Sequence, residues 1–337
     1  MAQHFMAPLN SGGAPFIGGG GTIFEFDPSG SGSITTKVSF DGTNGDQPQA
    51  PLTPAGNGKF YGTTARFAVG CGKIYEFDPT GSGSATLKAE LNGANGCYPS
   101  SALTPSGNGT TFYGTASGGG VNGNGTIFEF DPTGSGSITR YVAFNGNKSN
   151  GSPNLAELTP SGNGITFYGT AQYGGAYDKG TIFEFDPRGS GSINLKYSFD
   201  GTAGSFPTAA LTPAGNGKFY GAAEQGGANN FGTIFEFDPS NGAVTLMASF
   251  GYSIYDSGNG RWPHAALIPS GNGHSFYGTT RVGGATNTGA IFEFDPGTNS
   301  APAPAPLPLL GAGAAFGWSR RLRRRIQPVR PVFPIGR

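Results

Sequence analysis

PTAALTPAGNGKFYGAAEQGGANNFGTIFEFDPSNGAVTLMASF, residues 207–250, is one complete unit of a repeat that builds most of the chain. It holds four short β-prone segments: Ala209-Ala210-Leu211-Thr212, Lys218-Phe219-Tyr220-Gly221, Thr233 to Asp238, and Ala243 to Phe250. Each is rich in aromatic or β-branched residues and is bounded by Gly, Pro, Asn or Ser, the pattern of strands joined by tight turns.

The same unit recurs along the chain. Phe-Glu-Phe-Asp-Pro, or its Tyr variant, ends at Asp27, Asp78, Asp131, Asp186, Asp238 and Asp295, at intervals of 51, 53, 55, 52 and 57 residues. A second marker, Phe-Tyr-Gly, keeps step at Phe60, Phe112, Phe167, Phe219 and Phe276, each time after an Asn-Gly turn. Before residue 307 no window shows helical apolar spacing over ten or more residues, so the body is all-β. Four strands per unit of about fifty residues is the blade of a β-propeller.

The strands are lettered A to D from the inner to the outer edge of a blade. The chain then begins inside a blade, near Pro15 to Gly21. Two closures are compatible with that start. Six blades result if the first lacks its A strand and the last its D strand, the arrangement favoured here. Five result if Ile34 to Phe40 completes the blade begun at Pro263. Either way the units are expected to pack as wedges of a ring.

Bulk composition narrows the function. Most of the 62 glycines and 26 prolines among 337 residues punctuate the repeat. Net charge is zero, yet seven arginines and no acids fall in residues 320–337, leaving an acidic body of 13 basic against 20 acidic residues. Such a body offers phosphates no basic face, which argues against nucleic acid as a partner. Two cysteines make neither a disulfide framework nor a zinc site, and no cofactor or metal is expected.

Four elements carry a family resemblance: Phe112 to Thr115, Gly174-Gly175, Gly180 to Phe183 and Ser198 to Gly201. They read Phe-Tyr-Gly-Thr, Gly-Gly, Gly-Thr-Ile-Phe and Ser-Phe-Asp-Gly, and in this the chain resembles the tandem GloVer (Gloeo/Verruco) repeats of choice-of-anchor proteins over about residues 15–296. The resemblance implies an exported, surface-displayed repeat protein.

Because antiparallel strands alternate direction, D–A and B–C loops emerge on one face of the disc and A–B and C–D turns on the other. The second face repeats Gly-Asn-Gly and Asp-Pro turns almost unchanged, which are tight-turn solutions. The first face carries the variation, and Tyr98, Tyr173, Tyr177, Phe231, Tyr255, Arg261, Trp262 and Arg281 on it are the candidate ligand contacts, suited to a polysaccharide or a surface protein. Cys71 and Cys97 fall in loops of that same face and are expected to form a disulfide in an oxidising compartment.

Catalytic constellations are scarce. Glu-x-Asp recurs in six near-identical copies, and a feature of every blade serves the blade rather than acid–base chemistry or calcium. His4, His264 and His274 form no Ser-His-Asp or Cys-His arrangement. Glycine clusters such as Gly118-Gly119-Gly120 lack the helix and Lys-Ser/Thr of a phosphate loop.

After Asp295-Pro296 the chain changes character. The expected order is a disordered N-terminus over 1–14, a propeller over 15–296, a Pro/Ala linker over 297–306, an apolar segment over 307–326 with a short helix, and a disordered tail over 327–337. The tail, with Pro304, Pro306, an apolar run and then Arg320, Arg321, Arg323, Arg324 and Arg325, resembles a PEP-CTERM sorting signal. That resemblance implies an exosortase-type processing enzyme as partner, membrane contact before processing, and a destination at the cell surface or outside it. Residues 1–8 show neither the positive start nor the apolar core of an export signal, which points to a missing N-terminal portion.

Three functions are compatible with this reading: a non-catalytic surface protein binding glycan or protein through its variable face, a propeller glycoside hydrolase or lyase with its site at the central channel, and a structural spacer. For the enzyme, only His264 and Glu157 stand out as unique polar residues on inner strands.

Overall fold

The computed structural model describes residues 5–9, 20–29, 32–65, 70–146, 152–251, 260–284 and 287–297. They form a β-propeller of six sheets, five of which carry four or more strands. The first sheet contains β1 (Phe5–Leu9), β2 (Thr22–Asp27) and β3 (Ser33–Ser39). The second contains β4 (Thr53–Pro54), β5 (Phe60–Thr64), β6 (Lys73–Asp78) and β7 (Ser84–Glu90), and the third β8 (Thr104–Pro105), β9 (Phe112–Ala116), β10 (Thr126–Asp131) and β11 (Ser137–Ala143). The fourth adds β12 (Ser152–Leu155) to β13 (Thr159–Pro160), β14 (Phe167–Tyr173), β15 (Thr181–Asp186) and β16 (Ser192–Ser198). The fifth contains β17 (Thr212–Pro213), β18 (Phe219–Ala223), β19 (Thr233–Asp238) and β20 (Ala243–Ser249). The sixth contains β21 (Arg261–Pro263), β22 (Ile268–Pro269), β23 (Phe276–Val282) and β24 (Ala290–Phe294).

Two expectations change in detail. The N-terminal stretch expected to be disordered includes a strand: β1 pairs with β2 from Phe5 opposite Phe26 to Leu9 opposite Thr22, supplying the neighbour that β2 would otherwise lack. Nor does β3 complete the last blade, because it pairs with β2 in its own sheet. Among the described residues the first blade has no A strand and the last no D strand, as the six-blade reading requires. The A strands are shorter than the sequence suggests, two residues each, since their second residue is a proline with no N–H to donate.

Consecutive blades are joined by a repeated aromatic contact. The tyrosine of each Phe-Tyr-Gly faces the next blade, and Tyr61, Tyr113, Tyr168 and Tyr220 each meet two of its phenylalanines edge-on at 5.1–5.3 Å. Such pairs contribute about 0.5–1.5 kcal/mol each beyond the burial itself. Further out, Phe40, Phe144, Phe199 and Phe250 end one blade and pack on the aromatic ring under the next blade's glycine, at 5.0–5.4 Å. That glycine is obligatory: a Cβ on Gly221 would overlap the Phe235 ring. Nearest the axis, Thr53, Thr104, Thr159 and Thr212 donate through Oγ1 to Leu103, Leu158, Leu211 and Leu267 carbonyls of the following blade at 2.7–2.8 Å.

The series stops at the last blade. There Ile268 stands where the donating threonine would be, and Ile291 is 79% exposed, although its equivalents from Ile23 to Ile234 are at most 2% exposed. Phe24 and Phe26, on the opposite flank of the first blade, are only half-buried.

Tyr75 is the exception inside the core. It occupies a position filled by Phe in the other blades, is fully buried, and its hydroxyl has no hydrogen-bond partner. Burial accordingly pushes its pKa up. Because an unsatisfied buried hydroxyl is destabilising by about 1–3 kcal/mol, Tyr75→Phe is expected to stabilise the fold by about 1–2 kcal/mol in equilibrium urea unfolding; a destabilised variant would show that the hydroxyl is satisfied.

Candidate functional site

The two faces use hydrogen bonds differently. On the A–B and C–D face each repeated Asp closes its own turn, as when Asp131 Oδ1 accepts from the Thr133 N–H at 2.9 Å and Asp238 Oδ1 accepts from Ser240 at 3.0 Å. The Thr80 hydroxyl and N–H hold the Asp78 carboxyl below its usual range. Each repeated Glu is likewise bound within its blade, by Lys59 to Glu76 at 2.9 Å, Lys218 to Glu236 at 2.7 Å, and Thr166 to Glu184 at 3.1 Å. The six Glu-x-Asp copies are thus turn fasteners.

On the opposite face, D–A loops are hydrogen-bonded to B–C loops across the blade boundary. Gln47, Tyr98, Phe206 and Trp262 occupy equivalent places, each directly before a proline and each left-handed, with φ between 54° and 60°. Their N–H groups donate to the carbonyls of Gly20, Cys71, Lys179 and Phe231 at 2.8–3.0 Å. The carbonyls of Gln47, Tyr98 and Phe206 accept from Ala65, Ser117 and Glu224 at 3.2 Å. A residue before proline avoids helical backbone regions, and a left-handed non-glycine costs about 1–3 kcal/mol. The frame of backbone bonds holds it there and makes the side chain a fixed, varied projection.

The sequence-derived candidates divide accordingly. Tyr98, Tyr177 and Arg281 are exposed, Tyr177 by 62%. Tyr173 packs on Phe206 at 5.5 Å. Phe231, Arg261 and Trp262 come together, the guanidinium lying 5.6 Å from the Phe231 ring and 5.0 Å from the Trp262 ring. Cys71 and Cys97 are placed as a disulfide with Cα atoms 4.1 Å apart. Tyr255 and the sorting-signal positions Pro304, Pro306, Arg320, Arg321, Arg323, Arg324 and Arg325 lie outside the described residues.

Several groups emerge only in three dimensions. A cleft of about 500 Å³ opens between the fourth and fifth blades, lined among others by Lys179, Asp200, Thr202, Phe206, Gln225 and Asn230. Lys179 Nζ donates to the Asp200 carbonyl at 2.6 Å. His264 Nδ1 lies 2.6 Å from Glu224 Oε1 and 3.3 Å from Thr208 Oγ1. In the fourth unit, two residues before β13, Glu157 stands where the other units have Pro51, Ala102, Ala210 and Ala266, and burial pushes its carboxyl up to about 7. The sequence signal for Gln47 and Phe206 was the proline that follows them; nothing local marks Lys179, Gln225 or Asn230. Among the described residues no three His, Cys, Asp or Glu side chains converge as a metal site.

Solved structures share the fold at low identity. A Bacteroides uniformis protein provisionally named a 6-phosphogluconolactonase superposes with a TM-score of 0.55 and 15% identity, covering 89% of this chain and 81% of that one. A hypothetical selenium-binding protein from Sulfolobus tokodaii gives 0.57 and 11%, covering 82% and 70%. A Lactobacillus plantarum protein gives 0.52 and 14%, covering 88% and 83%. At these identities the likeness is one of fold alone. No curated protein matches the chain. The model of the Gloeobacter/Verrucomicrobia repeat matches residues 108–303, more than half the sequence, and the chain belongs to that repeat family.

Proposed function

We propose that this protein is an exported, non-catalytic repeat protein of a bacterial surface or extracellular matrix, and that its variable face binds a glycan. The observation that carries the reading is the fixed pre-proline frame: one backbone geometry presents Gln47, Tyr98, Phe206 and Trp262 on the same face, while the opposite face consists of self-satisfied turns. Partly exposed aromatic side chains offer flat apolar surface at small entropic cost, the usual basis of sugar and protein contact. The Pro/Ala linker, apolar segment and arginine cluster supply the sorting element, with an exosortase-type enzyme as its processing partner. The test is a glycan array probed with the folded chain and with Tyr98→Ala and Trp262→Ala variants. Signal on a defined glycan, weakened in the variants, supports the reading; a blank array with folded protein favours a spacer.

Glu157 favours a second reading, catalysis at the channel, because a carboxyl titrating near 7 is suited to general acid–base work. The same shift has a thermodynamic signature. Between pH 4.5 and 7 the unfolded chain releases a proton that the folded state keeps, so stability is lost as pH rises through that window, by up to about 3 kcal/mol. Glu157→Gln is expected to abolish this slope in urea midpoints measured from pH 4 to 8; an unchanged slope would locate it elsewhere. Loss of a glycosidase or lyase activity in that variant would establish the enzyme reading.

A further inference from the structure

We infer that the cleft between the fourth and fifth blades is a subsite for one uncharged pyranose ring of a polysaccharide, an inference that rests on the glycan-binding reading above and places it.

Three of the four pre-proline places on the variable face differ in what fills the space beside them. At each, a B–C loop residue accepts from a left-handed pre-proline residue: Cys71 from Tyr98, Lys179 from Phe206, Phe231 from Trp262. The residue preceding each pre-proline is Cys97, Ser205 and Arg261 in turn. In the first place the space between the loops is closed by the Cys71–Cys97 disulfide. In the third it is filled by the Arg261 guanidinium stacked on Phe231 and Trp262. In the second, Lys179 and the small, buried Ser205 leave it open, and the cleft is the result. The backbone around it is as firmly held as in the closed copies, since Ser205 and Gln225 exchange both backbone hydrogen bonds at 2.8 and 3.0 Å.

The lining specifies the ligand. Its volume lies within the range of small-molecule sites. Phe206, steadied by Tyr173 at 5.5 Å, offers one apolar ring surface, against which the C–H face of a pyranose can lie. Around it stand an ammonium, a carboxylate, a hydroxyl and two carboxamides, from Lys179, Asp200, Thr202, Gln225 and Asn230. These donors and acceptors match the hydroxyls on a sugar's rim. The single positive and single negative charge balance, so the cleft has no net attraction for phosphate or sulfate. A neutral, hydroxyl-bearing ring satisfies the apolar wall and the polar rim together.

Calorimetric titration of the full chain with maltotetraose, cellotetraose, laminaritetraose and mannotetraose, beside inorganic phosphate and a sulfated oligosaccharide, tests this. At least one neutral tetrasaccharide should bind. Phe206→Ala and Gln225→Ala should each weaken it by about tenfold or more, the loss of a hot-spot contact, while Phe206→Tyr stays within about threefold. Gln225 bonds to Ser205 only through its backbone, so its truncation leaves the loops intact. Tighter binding of phosphate or the sulfated sugar would overturn the inference, as would no tetrasaccharide binding from a chain that scores on the array. Binding lost in Tyr98→Ala or Trp262→Ala but kept in Gln225→Ala would overturn the cleft and leave the face. Binding indifferent to all of these variants would overturn both.

Discussion

Replacing Ile182 by aspartate should leave a chain that no longer folds, while the same replacement at Ile291 should be nearly silent. The two isoleucines hold the same position in Thr/Ala-Ile-Phe-Glu-Phe, and sequence treats them alike. Ile182 is fully buried in a cluster with Tyr168, Phe199, Leu211 and Phe235. An unpaired carboxylate there has no counter-charge, and the penalty exceeds about 4 kcal/mol. Ile291 is 79% exposed on the flank of the last blade, where a surface change stays within about 0.5 kcal/mol. Denaturant unfolding of both variants gives the comparison. Equal damage at the two sites would mean that the flank of the last blade is covered in solution.

Breaking the bond between Cys71 and Cys97 should lower stability by about 3.5 kcal/mol, the chain-entropy value for a loop closed over a separation of 26 residues. The expected result is a lower urea midpoint on adding reductant, matched by the Cys71→Ser/Cys97→Ser double variant, with reductant then without further effect on that variant. Mass measurement without reduction checks that the bond is present beforehand. Protein made in an oxidising compartment that retains two free thiols would refute the pairing.

The repeat, its strands and its turn fasteners were legible because each depends on residues close in sequence: Asp238 binds Ser240, and Lys218 reaches Glu236 across one hairpin. The first strand was not, since Phe5 to Leu9 bears no Phe-Tyr-Gly marker and is a strand only by pairing with β2. The left-handed state of Tyr98, Phe206 and Trp262 ran against the local rule, which extends a residue before proline; contacts from the neighbouring blade overrule it. The cleft was hidden for a related reason. Ser205, Cys97 and Arg261 share one position, but whether that position is plugged depends on what stands opposite it, at Lys179, Cys71 or Phe231.

The pre-proline frame is made entirely of main-chain atoms, so no particular side chain is needed to maintain it. Glutamine, tyrosine, phenylalanine and tryptophan already occupy it in one chain. Exchange among such side chains leaves these backbone hydrogen bonds in place, so the surface of each wedge can change one residue at a time without disturbing its core.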